Sequence, residues 1–163
     1  MMNMNRLKFV ATLLLLGLAG YCIARFWGQD SGVSEKAFFY DLNEKKLFAA
    51  RRTSVPPIEG LKHLGETAVR AVVISTNGNP RDKSSWQIAY LEKYSPELKQ
   101  QMEAAQAGGT APRIDRAQAQ SHRFVRRVAE AEWHPLSSTE GEQIVNEWLT
   151  AGPGGGPAII CTP

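Results

Sequence analysis

Three histidines, His63, His122 and His134, are the only imidazoles in the chain. No two stand at the i, i+4 spacing that places paired ligands on one helix face, and no cysteine pair assists them. A metal site could then be assembled only from distant positions, and neither a metal nor a cofactor is expected. Serines occur in two pairs, Ser84-Ser85 and Ser137-Ser138. Neither pair lies in a G-x-S-x-G or S-x-x-K arrangement, and nucleophilic catalysis needs both an activated oxygen and an oriented base. Asp41 and Glu44 are close enough in sequence to act as paired carboxylates, but an Asp opening a hairpin turn ordinarily accepts hydrogen bonds from its own backbone. The run Gly152 to Pro157 (GPGGGP) lacks the G-K-[ST] of a phosphate loop and reads as a spacer. No catalytic residue is assigned.

Two features suit binding better than catalysis. Arg123, Arg126 and Arg127 form the densest charge cluster. They are expected to be a solvated face paired with Glu130 and Glu132, with contact to an anionic lipid or an acidic partner as the alternative. The aromatic residues Phe38, Phe39, Tyr40, Trp86, Tyr90, Trp133 and Trp148 are mostly expected in the core. Consecutive aromatics on a strand point to both faces, so Phe39 could be turned outward as a partner contact.

The elements that must position these residues begin with Phe9 to Trp27 (FVATLLLLGLAGYCIARFW), the only long apolar run. Its 19 residues would span roughly 28 Å as a helix, close to the hydrocarbon thickness of a bilayer. Phe9, Leu13, Leu16 and Tyr21 would meet lipid. Arg25 would extend to the head groups and Trp27 would suit the interface. Arg6 and Lys8 precede the run and no acid occurs before Asp30, which favours a cytoplasmic N-terminus and an exported remainder. A cleaved signal peptide is the competing reading, with Cys22-Ile23-Ala24 offering small residues to a peptidase. The run continues to Trp27, beyond an ordinary signal core, which favours the anchor.

Arg6, Lys8 and Arg25 are three of the 19 Lys+Arg, so the 16 that follow Trp27 balance the 16 Asp+Glu. A neutral exported part makes nucleic acid an unsuitable partner. Cys22 and Cys161 are the two cysteines. With Cys22 in a membrane span they would not pair, and Cys161 reads as a small buried hydrophobe.

Residues 28–36 read as a linker, 37–151 as an α+β domain and 152–163 as a Gly/Pro-rich C-terminal tail. Within the domain, Ala37 to Ala49 predicts a hairpin around Asp41 to Glu44, and Pro56-Pro57 excludes a central strand there. Strands are predicted over Ala68 to Ile74 and Trp86 to Leu91. Ser95-Pro96-Glu97 opens a helix to about Ala107, striped by Leu98, Met102 and Ala105. Arg113 to Ala131 reads as a short helix leading into a strand. Thr139-Glu140-Gly141-Glu142 reads as a capping box, opening a helix that buries Ile144, Val145, Trp148 and Leu149. The sum is an N-terminal transmembrane helix followed by a small antiparallel sheet of three or four strands with two or three helices.

The hairpin FFYDLNEKKLF, the Trp133-His134-Pro135…Ser138…Gly141 segment and the closing Cys161-Thr162-Pro163 resemble a loose group of short bacterial exported proteins. Members carry an N-terminal hydrophobic segment, an FYDLN-x-x-x-LF hairpin and a late W-x-P segment entering the last helix. The resemblance covers most of residues 37–163 and implies a bacterial envelope protein, with no catalytic residues to carry over. The expected protein is a single-pass inner-membrane protein with a periplasmic domain. Its partners would be the bilayer and another envelope or membrane protein, for which it serves as an accessory subunit. A ligand-binding or hydrolytic domain is the alternative, and a minor pilin-like subunit a third, against which the missing processing signal argues.

Overall fold

Alternating apolar residues pair Lys36–Asp41 (β1) with Lys46–Arg51 (β2) across the turn at residues 42–45, as the hairpin pattern predicts. The computed structural model describes residues 34–108, 113–149 and 158–163. The anchor residues Phe9, Leu13, Leu16, Tyr21, Arg25 and Trp27 lie outside these. No helix among the described residues is long and apolar enough to cross a membrane.

Ala68–Ser75 (β3) and Trp86–Tyr94 (β4) form the centre of the sheet. Ser95 then caps Pro96–Gln106 (α1), its hydroxyl oxygen accepting from Leu98 N. Arg116–Ser121 (α2) leads directly into Arg123–Arg126 (β5), the helix-then-strand order expected. His134–Pro135 (β6) pairs with β5, and Thr139–Asn146 (α3) packs against both strands. Among the described residues the antiparallel sheet has seven strands in the order β2-β1-β3-β4-β5-β6, with Ile159–Ile160 (β7) joining β3.

β7 departs from expectation, since residues 152–163 read as a tail. β1 registers with β3 only at Ala68 to Arg70, which leaves the edge near Ser75 open. Ile159 and Ile160 pair there with Ser75 and Ile74, and Cys161 N donates to Val73 O at 2.8 Å. Cys161 is buried, as its reading as a small hydrophobe requires, and burial pushes its thiol pKa up. The final helix also differs in detail. Ser138 is its N-cap rather than Thr139, because Gly141 N donates to Ser138 Oγ. A Cβ at Gly141 would collide with Pro135 O, so only glycine allows this close approach of α3 to β6. Ile144 is buried as expected, Val145 and Trp148 are half-buried, and Leu149 is exposed.

Residues directly opposite each other on neighbouring strands share a face. One face carries the core of Phe38, Val69, Ala71, Val73, Leu91 and Cys161, flanked by Tyr40, Trp86, Ile88 and Trp133. The other carries Phe39 opposite Arg70, then Glu92 opposite both Arg70 and Val125. Phe39 is 0% exposed, with Phe48 at 6.2 Å and the Arg70 guanidinium 5.8 Å above its ring. The structure therefore corrects its expectation as an outward partner contact, because both faces of β1 are covered. In β4 the register shifts by one residue, from Val72 opposite Tyr90 to Val73 opposite Ile88. Ala89 is the additional residue of this bulge. It puts Ile88 and Leu91 on the same face and sends Tyr90 to the other.

At the end of β1, Asp41 is 1% exposed and its carboxylate is fully engaged. Oδ1 accepts from Asn43 N at 2.9 Å, Glu44 N at 3.2 Å and Thr67 Oγ1 at 3.2 Å, while Oδ2 accepts from Leu61 N at 2.7 Å. Burial alone would raise its pKa, but these donors outweigh it and hold the carboxyl below the ordinary aspartate range. A Cβ at Gly60 would lie 2.6 Å from Asp41 Oδ2, so the loop must be bare there. Asp41→Ala should remove roughly 3 kcal/mol or more, read as a fall in melting temperature of about 10 °C. The pKa is depressed in the folded state, so the stabilisation is complete above the unfolded value near 3.8 and is lost as pH falls through the folded value. The gap between wild type and Asp41→Ala should therefore narrow in acid. Phe39→Ala should lower stability by about 3–5 kcal/mol in urea titrations, as expected for a fully buried ring.

Candidate functional site

The bulge at Ala89 sets the facing of the last part of β4. Lys93 pairs with Phe124 and Leu91 with Arg126, so Lys93 and Arg126 are diagonal neighbours on the core face of the sheet. Trp133, which packs against that core, lies beneath both. Lys93 Nζ is 4.6 Å and the Arg126 guanidinium 4.8 Å from its ring centroid. A cation over an indole gains electrostatically from the ring quadrupole. Two cations over one ring also repel each other. Burial, then the neighbouring Arg126 charge, lowers the Lys93 pKa below the ordinary lysine range.

Beside this cluster is a cavity of about 300 Å³ lined by Lys93, Tyr94, Ser95, Pro96, Phe124 and Trp133. Phe124, Trp133 and Pro96 give it apolar walls, and Lys93 and Ser95 an ammonium and a hydroxyl, while the Tyr94 ring is turned to the opposite face under Arg123. Ser95 is buried, and its Oγ lies 2.9 Å from His122 Nδ1 while also accepting from Leu98 N. That pairing has the separation of a serine–histidine dyad. The hydroxyl, however, is held as a helix cap, and no carboxylate hydrogen-bonds His122 among the described residues, so it functions as a cap.

The arginines expected to act together divide into different roles. Arg123 donates from Nε to the buried Glu92 Oε1 at 2.6 Å. Burial would lower its pKa, but Glu92 outweighs burial and raises it. Arg127 pairs with Glu130 at 2.7 Å and with Glu147. Glu130 is thus the expected partner, whereas Glu132 takes no part and Glu147 replaces it. Arg126 Nη1 donates to the carbonyl oxygen of Glu130, and its Nε is buried without a hydrogen-bond partner. Among the described residues neither Lys93 nor Arg126 has a carboxylate partner, unlike Arg123 and Arg127.

A second cavity, of about 440 Å³, is lined by Arg127, Glu130, Ala131, Glu132, His134, Glu140 and Gln143. Its only cation is already paired. Among the described residues no cluster of His, Cys, Asp or Glu has metal-binding geometry. The serine pairs are structural: Ser84 Oγ donates to Asp82 at 2.6 Å, Ser85 Oγ lies 2.9 Å from Ser75 Oγ, and Ser138 caps α3. Sequence reasoning found Arg126 and Trp133 but missed Lys93, which a simple alternation along β4 would turn away from them.

Comparison with protein-family models, curated proteins and solved structures returns no match. The site must be interpreted from its own geometry. Arg126→Gln should raise the Lys93 pKa towards that of a free lysine, measurable by NMR titration of the labelled side chain. Because the folded-state pKa is depressed, the charged ammonium is unfavourable in the folded state at neutral pH. Wild type should therefore gain stability relative to Lys93→Met as pH rises from the folded towards the unfolded pKa.

Proposed function

We propose that the chain is a single-pass, membrane-anchored bacterial envelope protein whose periplasmic α+β domain serves as an interaction subunit of a larger membrane assembly. The N-terminus would lie in the cytoplasm, with Phe9 to Trp27 as the anchor. The observation that carries the interaction reading is the pair of cations without carboxylate partners, Lys93 and Arg126, over Trp133 beside an aromatic cavity. The two neighbouring arginines are matched, Arg123 to Glu92 and Arg127 to Glu130 and Glu147. A surface that retains unmatched charge beside apolar walls has the composition of a recognition site.

A second reading is a domain that binds a small ligand, the cavity's volume being at the lower end for such sites. Purification of the full-length protein from native membranes in mild detergent, with mass spectrometry of what remains bound, separates the two. A stoichiometric envelope or membrane protein is the expected result. Recovery of the chain alone would overturn the subunit reading and favour a ligand-binding domain.

A further inference from the structure

We infer that the cavity beside Trp133 receives a single apolar side chain flanked by a carboxylate, presented by the partner polypeptide. This rests on the interaction reading above and names the chemistry of its partner. Pro96, Phe124 and Trp133 supply apolar walls, and about 300 Å³ has room for one large side chain. Burial of an apolar group there would supply affinity without orienting it. Orientation would come from the rim. Lys93 lines the cavity, and Arg126 lies diagonally beside it on the same face.

Their electrostatics call for an anion. Each is close enough to Trp133 for its charge to be held over the ring, and each depends on that ring and on uncharged groups for compensation. A carboxylate at the rim would offset the mutual repulsion of the two cations and would accept charge-assisted hydrogen bonds. Ser95 is unsuited to this task because its hydroxyl is already shared between Leu98 N and His122. The competing occupant is an anionic bilayer surface, which supplies negative charge but presents no side chain to a walled hollow. Shape favours the peptide.

The test uses the full-length chain in nanodiscs of zwitterionic lipid. It is titrated with an acetylated, amidated peptide of sequence Gly-Glu-Phe-Gly and with its Gly-Gln-Phe-Gly counterpart, followed by the tryptophan indole NMR signals. The glutamate peptide should bind saturably and shift the Trp133 signal. The glutamine peptide should bind at least about tenfold more weakly, and so should the glutamate peptide to the Lys93→Gln/Arg126→Gln protein. Lys93→Met retains the stem over the indole and removes the charge. It should show the same loss without a fall in melting temperature, which keeps the test valid where the double variant folds poorly. Equal binding of both peptides, undiminished binding by Lys93→Met, or no saturable binding of either would overturn the inference. Charge-dependent binding to phosphatidylglycerol vesicles with no peptide binding would also overturn it and assign the cluster to lipid. A partner recovered from membranes equally by wild type and Lys93→Met would overturn this inference while leaving the interaction subunit standing. Peptide binding with no partner recovered from membranes would do the reverse.

Discussion

A carboxylate removed from water must be given donors, and the Asp41 carboxylate draws them from three separate pieces of chain. Asn43 and Glu44 come from the turn it opens, Leu61 from the long loop before β3, and Thr67 from the residue preceding that strand. The same loop is closed by reciprocal bonds between Ile58 and Ala68, at 2.7 and 3.0 Å. Asp41 thus joins the end of the first hairpin to the beginning of the central strand. The β1–β3 register follows from this junction, since Asp41 is the residue opposite Ala68. Once that register is set, Phe38 and Phe39 fall on opposite faces, each against its own neighbours.

Charge is handled differently on the two faces. On the Phe39 face, Glu92 is 4% exposed and lies between Arg70 and Arg123. Arg70 is satisfied mainly by the carbonyl oxygens of Arg52 and Ser54, at 2.9 and 3.0 Å, leaving Arg123 as the direct ion-pair partner. A buried carboxylate with a fitted guanidinium adds more to the specificity of register than to net stability. On the Phe38 face the core is apolar until the far end of β4 and β5, where Lys93 and Arg126 follow Leu91 without an accompanying acid. The two like charges are tolerated there because Trp133 supplies a π surface and the side-chain stems pack on it.

Much of the architecture is legible in the residues. The β1–β2 hairpin, the Ser95 cap of α1 and the helix-to-strand transition near His122 follow from local chemistry: turn residues, an N-cap with proline behind it, and a change of apolar period. Asp41 is legible only in part. Its bonds to Asn43 and Glu44 are local, whereas those to Leu61 and Thr67 depend on the return of a distant loop. Phe39 was ambiguous because a strand pattern shows that two faces exist without showing whether both are covered. The β7 strand was not legible, because two isoleucines after a glycine-rich spacer acquire a partner only when β1 leaves the edge of β3 open.

The site was hidden for a more specific reason. With strict alternation along β4, Trp86, Ile88, Tyr90 and Glu92 would share one face, and Lys93 would point to the opposite one. The additional residue at Ala89 reverses that parity, so Tyr90 and Glu92 join the charged face while Leu91 and Lys93 join the apolar one. The single backbone irregularity therefore does two things at once. It provides Arg123 with a buried acid, and it carries an unmatched lysine over Trp133 beside Arg126. Without the bulge Lys93 would lie among Arg70 and Arg123 while Glu92 turned to the apolar face, leaving three cations together without their acid. The bulge instead sends the surplus positive charge to the aromatic end of the other face, where the Trp133 ring lies beneath both cations.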